Sequence, residues 1–290
     1  MSVKERDAAT GYETTGHDWN GIAELNTNVP RVVWWCIIVT HLYALLLWVL
    51  LPAWPYFTGY TKGVLGVDQT EQLAVQVAAA ELPKAVWADR IAAVSVDEMR
   101  ADAGLMQVVH QTAPALFGDK CAACHGVNAM GGPGFPNLVD GDWLWGGDAD
   151  TILETLRVGI NSAHPDTRFG QMLAFGRDGI LTRPQIRQVV GYVQSLSGTQ
   201  IPAETVTAGA VLFQENCISC HGEDAKGLKE LGAPNLTDDI WLYGKDDAAM
   251  FATVYGGRQG VMPTWESQLG LVDRKILTAY LLDLGPGAKP

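Results

Sequence analysis

Hydrophobic positions along the chain take two forms: one continuous run, and a set of helical stripes separated by glycine-rich polar stretches. The continuous run is Val32 to Leu51, VVWWCIIVTHLYALLLWVLL, and it carries no formal charge. Coiled as a helix it spans about 30 Å, the thickness of a bilayer core. It lacks the polar stripe of a helix packed into a soluble domain. Arg31, Trp34 and Trp35 at its start and Trp48, Pro52, Trp54 and Tyr56 at its exit are residue types that settle at membrane interfaces. A polar segment precedes the run, and a cleaved signal peptide has a shorter apolar core, so the reading is an uncleaved signal-anchor. Lys4, Arg6 and Arg31 precede the run and Lys62 is the first basic residue after it, so loop charge barely orients the helix. Within it, His41 bonds either a neighbouring subunit's helix or a nearby backbone group, and Cys36 reads as a small apolar core residue.

Beyond the run, Glu71 to Glu81 (EQLAVQVAAAE) predicts a helix, Pro83 a break, and Val86 the start of a second helix. This stretch lacks the glycine, serine and proline of a flexible tether. From residue 103 onward the pattern repeats. Ala115-Leu116-Phe117 answers Val211-Leu212-Phe213, Pro136-Asn137-Leu138 answers Pro234-Asn235-Leu236, and the segment at Trp143-Leu144-Trp145-Gly146 answers Trp241-Leu242-Tyr243-Gly244. Near the ends VVGYVQSL from Val189 answers LTAYLLDL from Leu277, aligning Tyr192 with Tyr280. Each copy predicts a helix, a glycine-rich loop, short central helices and an apolar terminal helix, with a boundary at 197–205 (SGTQIPAET).

Composition narrows the function. The chain is 48% apolar with a net charge of -12, enough to bury a core and of the wrong sign to bind nucleic acid. Residues 201–290 are the most acidic segment, so a soluble partner drawn by that field would be basic.

Four of the five cysteines fall in two motifs, Cys121-Ala-Ala-Cys124-His125 and Cys217-Ile-Ser-Cys220-His221. Cysteines at this spacing project to one side of a helical turn, where each sulfur can form a thioether with a haem vinyl group while the adjacent His offers a ring nitrogen to the iron. A zinc site would need further Cys or His nearby. Two covalently attached haem c groups are therefore expected. A sixth ligand of thioether sulfur would raise the haem potential. In the second copy Met262, in the loop Gly260-Val261-Met262-Pro263, is preferred over Met250, which reads as core. In the first copy Met172 is preferred over Met130, which is too near the motif, with bis-His ligation by His164 or His110 as the alternative. Leu173 stands where Pro263 follows Met262. Pro136 and Pro234 are placed to offer a carbonyl to the second ring nitrogen of each axial His. Trp143, Trp241, Arg157 and Arg258 could approach haem propionates, against core packing for the tryptophans and a solvated surface for the arginines.

The order CxxCH, PNL, Trp, Met loop and terminal helix resembles the class I cytochrome c fold over residues 103–290, and in that family the proline carbonyl does hold the axial His. HDWNGIAELN from His17, NVPR from Asn28, one membrane helix beginning at Trp34-Trp35, ADRI from Ala88 and two cytochrome domains together resemble the dihaem subunit of cbb3-type cytochrome c oxidases, subunit III, called CcoP or FixP. The resemblance implies a mainly α chain with one N-terminal transmembrane helix and two class I cytochrome c domains. Its parts would be a cytoplasmic segment 1–31, a transmembrane helix 32–51, a periplasmic linker 52–102, and cytochrome domains 103–200 and 201–290. It also implies a bacterial inner-membrane protein, because haem attachment occurs outside the cytoplasmic membrane. Such a subunit passes electrons from a donor cytochrome c to a haem-copper catalytic subunit, beside a monohaem cytochrome c subunit and membrane lipid, and performs no oxygen chemistry itself. The alternatives are a gas-sensing haem protein, motivated by Leu173, and the cytochrome subunit of a periplasmic dehydrogenase.

Overall fold

The computed structural model describes residues 5–285, so Lys4 and the last residues of the second copy lie outside it. The chain divides into two compact units at Leu82 and Pro83.

The first unit opens on a hairpin, β1 (Thr14–Trp19) and β2 (Ile22–Leu25), with Asp18 opposite Ala23 and Trp19 opposite Ile22. Asn20 and Gly21 turn it with φ of 52° and 91°, the left-handed pair that matches strand twist. Helix α1 (Arg31–Leu50) follows, 20 residues with none buried. Its apolar faces are open all round, which water does not favour and lipid does. Here Cys36 is exposed rather than part of a core, and His41 Nδ1 lies 2.7 Å from the Ile37 carbonyl, the local backbone option. The carbonyls at the end of α1 accept from Val64 and Leu65, at 2.9 and 3.1 Å, as the chain turns back through a second hairpin, β3 (Pro55–Tyr56) and β4 (Gly59–Tyr60).

The stretch expected as two helices is one, α2 (Gln69–Ala93), with Pro83 inside it. The carbonyl that loses its partner belongs to Ala79, which is exposed and can be served by water.

The second unit is helical: α3 (Val96–Ala101), α4 (Ala103–Lys120), α5 (Ala122–His125), α6 (Ala149–Val158), α7 (Arg183–Leu196), α8 (Ala203–Asn216), α9 (Ile218–His221), α10 (Asp247–Gly256) and α11 (Leu271–Leu284). Helix starts follow capping chemistry. Ser95 and Glu98 form a reciprocal box on α3, while Asp148 and Asp246 accept from Thr151 and Ala249 at the starts of α6 and α10. Residues assigned to the linker belong to this body, since Ile91, Val96 and Met99 share a core with Leu105, Val109 and Ile276.

The order of packing departs from the order of the repeat. Helix α7, the last of the first copy, packs on α8 and α10 of the second, while α11 packs on α3, α4 and α6 of the first. The ring pairs show the exchange: Tyr192 meets Phe213 at 5.2 Å and Tyr280 meets Phe117 at 6.0 Å. The cause is the short connection 197–202, which makes α7 and α8 antiparallel neighbours. Gly209 tightens that pair, since a Cβ there would overlap the Gln188 carbonyl. With α7 seated in the second body, the place against α4 is left to α11, whose Leu277 and Leu281 join Phe117, Ile152 and Leu156. Each terminal helix thus packs on the body of the other copy.

Candidate haem attachment sites

The two motifs lie on short helical turns of matching build. Each starts as a helix ends, with Cys121 N donating to Phe117 O and Cys217 N to Phe213 O, both at 2.8 Å. Gly131 N then donates to His125 O, and Gly227 N to His221 O, both at 2.8 Å, folding the following loop back under the motif. The loop ends on the prolines, with His125 Nδ1 3.1 Å from Pro136 O and His221 Nδ1 3.1 Å from Pro234 O. A carbonyl can only accept, so each Nδ1 carries the proton and each Nε2 keeps a lone pair. Burial lowers the pKa of both rings, against a smaller opposing effect of the proline carbonyl. Both rings are therefore neutral at pH 7, the form that binds a metal. The thiols of Cys121 and Cys217 are pushed up to about 11 by burial, with a smaller contribution from the neighbouring Cys124 and Cys220.

The methionines lie across from the copies to which sequence order assigns them. Met262 exchanges backbone hydrogen bonds of 2.9 Å with Ile160 and packs into the cluster of Phe117, Cys121, Ala122 and Leu138, beside the first motif. Met172 exchanges bonds of 2.8 and 3.1 Å with Arg258 and packs with Cys217, Leu212 and Trp241, beside the second. Gly159 and Gly257 permit this. They end α6 and α10 at φ 69°, and a Cβ on either would press on the carbonyl of Met262 or Met172 at 2.5 Å. The copies expected to supply each methionine are thus exchanged in space, with Met262 in the cluster that holds Cys121 and Met172 in the cluster that holds Cys217.

The competing ligands are engaged elsewhere. His164 accepts at Nδ1 from Asp166 N at 3.0 Å, and its Nε2 lies 2.9 Å from Glu266. His110 Nε2 lies 2.8 Å from Asp283, on an exposed ring. Met130 is exposed, and Met250 is buried on α10. Trp143 packs in the first cluster, and Trp241 donates to Asp238 O at 3.1 Å while packing in the second. Arg157 is held by Glu154 at 2.8 Å, Asp166 at 3.2 Å and Glu266 at 3.5 Å. Arg258 lies over the Tyr243 ring, and sequence reading missed Arg168, which lies over Trp145. The signal for Arg168 was the extra length of the loop before Met172.

A neutral His with a free Nε2, a buried Cys beside it and a methionine in the same cluster fit a covalently held haem at each motif. The comparisons agree. Residues 11–58 match the family model described as the N-terminal domain of cytochrome oxidase-cbb3, FixP. Residues 111–197 match cytochrome c, and residues 204–281 match cytochrome c oxidase, cbb3-type, subunit III. The chain is 46% identical over 288 residues, 98% of each chain, to the cbb3-type cytochrome c oxidase subunit FixP of Bradyrhizobium sp. (strain ORS 278). It is 42% identical over 297 residues to subunit CcoP of Azospirillum sp. (strain B510), covering 99% of this chain and 100% of that one. It is 40% identical over 289 residues to subunit CcoP of Cereibacter sphaeroides, with the same coverage. With both cytochrome c motifs and full-length likeness in hand, the chain belongs to the FixP/CcoP family, subunit III of cbb3-type cytochrome c oxidases.

Proposed function

We propose that the chain is the membrane-anchored dihaem relay of a cbb3-type oxidase, taking electrons from a donor cytochrome c and delivering them to the haem-copper subunit. Cys121 and Cys124 would hold one haem through thioethers, and Cys217 and Cys220 the other. His125 with Met262 would hold the iron of one haem and His221 with Met172 that of the other, so each site would draw one ligand from each copy. A haem supplies one-electron chemistry when bound. The chain's own work is to hold each His by a proline carbonyl, seat each Met on a backbone pair, and exclude water with the surrounding apolar clusters. Helix α1 crosses the inner membrane, residues 1–31 face the cytoplasm and the haem sites face the periplasm, where attachment occurs.

The observation that carries this reading is that Met262 shares a packed cluster with Cys121 and Met172 shares one with Cys217. A pyridine haemochrome assay should find two haem c per chain. In a full-length chain with Cys217→Ala and Cys220→Ala, which keeps only the first haem, Met262→Ala should abolish the methionine–iron charge-transfer band and Met172→Ala should leave it. The reciprocal pair, in a chain lacking Cys121 and Cys124, should behave oppositely. If Met172→Ala removes the band from the first haem, the pairing is wrong.

A further inference from the structure

Two arginines reach equivalent places by different routes. Thr155 and Thr253 stand near the ends of α6 and α10, and the carbonyl of each accepts, at 2.9 Å, from the glycine that ends its helix, Gly159 or Gly257. In the second copy the residue after that glycine is Arg258. Its Nε and Nη2 donate to Thr253 Oγ1 at 3.1 and 2.7 Å, and its guanidinium lies 4.1 Å from the centre of the Tyr243 ring.

In the first copy the corresponding residue is Ile160, which can do none of this. The loop 161–171, longer than its counterpart 259–261, folds back instead. Arg168 N donates to Gly159 O at 3.1 Å, and Arg168 O accepts from Asn161 N at 2.8 Å. That turn brings Arg168 Nε to Thr155 Oγ1 at 3.0 Å and its guanidinium to 5.5 Å from the Trp145 ring. Trp145 and Tyr243 are matching positions of the repeat. A cation restored at one spot from an unrelated sequence position points to a requirement for the charge itself, since local sequence does not supply it.

Both arginines are half-buried, and among the described residues neither has a carboxylate partner within ion-pair distance, whereas Arg157 nearby has three. Threonine and aromatic contacts use only part of the five N–H donors of an arginine, and the fork that remains matches a carboxylate. In a protein of net charge -12, Glu154 acts on Arg168 only from beyond ion-pair distance, and among the described residues no carboxylate closes on either fork, which leaves room for an anion from outside the polypeptide. Their surroundings say which. Trp145 lies against Gly170 and Gly232, Tyr243 lies 3.6 Å from a Cβ placed on Gly134, and Arg258 O accepts from Met172 N at 2.8 Å. Each arginine thus stands between a methionine segment and the glycine-rich loop that follows a CxxCH motif.

The geometry points to Arg168 and Arg258 as matched clamps, each holding a propionate carboxylate of one haem. This deepens the haem reading above and rests on it. A guanidinium beside a propionate favours the reduced, more negative state of the haem and so raises its potential. The test is a redox titration of the intact complex, resolved for each haem, with Arg168→Gln and Arg258→Gln, together with redox-difference infrared spectra of protein carrying haem labelled with 13C in the propionate carboxylates. Each variant is expected to lower the midpoint of one haem, leave the other, and shift the labelled carboxylate bands. Arg168→Lys and Arg258→Lys, which keep the charge but lose the planar fork, should keep most of the midpoint and still shift the bands. Unchanged midpoints and unchanged labelled bands in both Gln variants overturn the clamps. A wild-type chain with fewer than two haems, or without low-spin spectra, would instead overturn the attachment reading, so the two failures are told apart.

Discussion

Leu277→Ala tests the exchange of terminal helices directly. Leu277 is 1% exposed and sits on α11 among Phe117, Ile152 and Leu156 of the first copy. Leu→Ala at such a site removes the transfer energy of the lost methyl and methylene groups and leaves a cavity, about 2–5 kcal/mol together. At about 3 kcal/mol, opening of that cluster becomes more than a hundred-fold more frequent, because about 1.4 kcal/mol is a factor of ten. Amide hydrogen exchange read by mass spectrometry on the holoprotein resolves where the loss falls. Exchange should accelerate through α4, α6 and α11 and stay unchanged in α8 and α10. Acceleration confined to α8–α10 would mean that α11 serves its own copy, and the crossed packing would be refuted.

Other outcomes follow from single contacts. Lys275 is buried, and its Nζ donates to the carbonyls of Ile91, Ala92 and Val94 at 3.1, 2.9 and 2.6 Å, closing the end of α2. Lys275→Met should cost about 1–3 kcal/mol, seen as faster proteolysis around residues 90–95. Gly209→Val should disrupt the α7–α8 pair through its overlap with the Gln188 carbonyl, and a chain that melts unchanged would contradict that close approach. Asp142 has its pKa raised by burial, then by Asp238 and Asp140, with Lys229 opposing. An acid whose folded pKa is raised costs stability once it ionises, so stability is lost as pH rises from below the ordinary carboxylate range through the folded value. Asp142→Asn should therefore melt higher than wild type at pH 7 and equally at pH 3, as calorimetry would show.

Much of the site could be read from residue order, because its chemistry is local. CxxCH fixes the thiols and the His on one turn, and Pro136 and Pro234 close a short loop onto each His, as the 3.1 Å bonds show. The cluster that each methionine joins was not legible in the repeat. Alignment says that Met172 and Met262 are equivalent, but the body that each joins depends on where α7 and α11 pack, and the available clue was the short link at 197–202. Arg168 was hidden for a related reason, since the position that answers Arg258 in the repeat is Ile160, while the contact to Thr155 comes from Arg168. The hairpin at Asn20-Gly21 had a clear local signal, while the continuity of α2 through Pro83 did not, because proline in sequence reads as a break.

Crossed packing also ties cofactor maturation to synthesis. The cluster around Cys121 is closed by Met262, Leu277 and Leu281, from the far end of the polypeptide. A nascent chain that has emerged only as far as its earlier CxxCH motif has the thiols and the imidazole but not Met262 or the covering helix. An interrupted or clipped product would therefore lack the residues that close the cluster around Cys121, and a full-length chain becomes the condition for two closed sites.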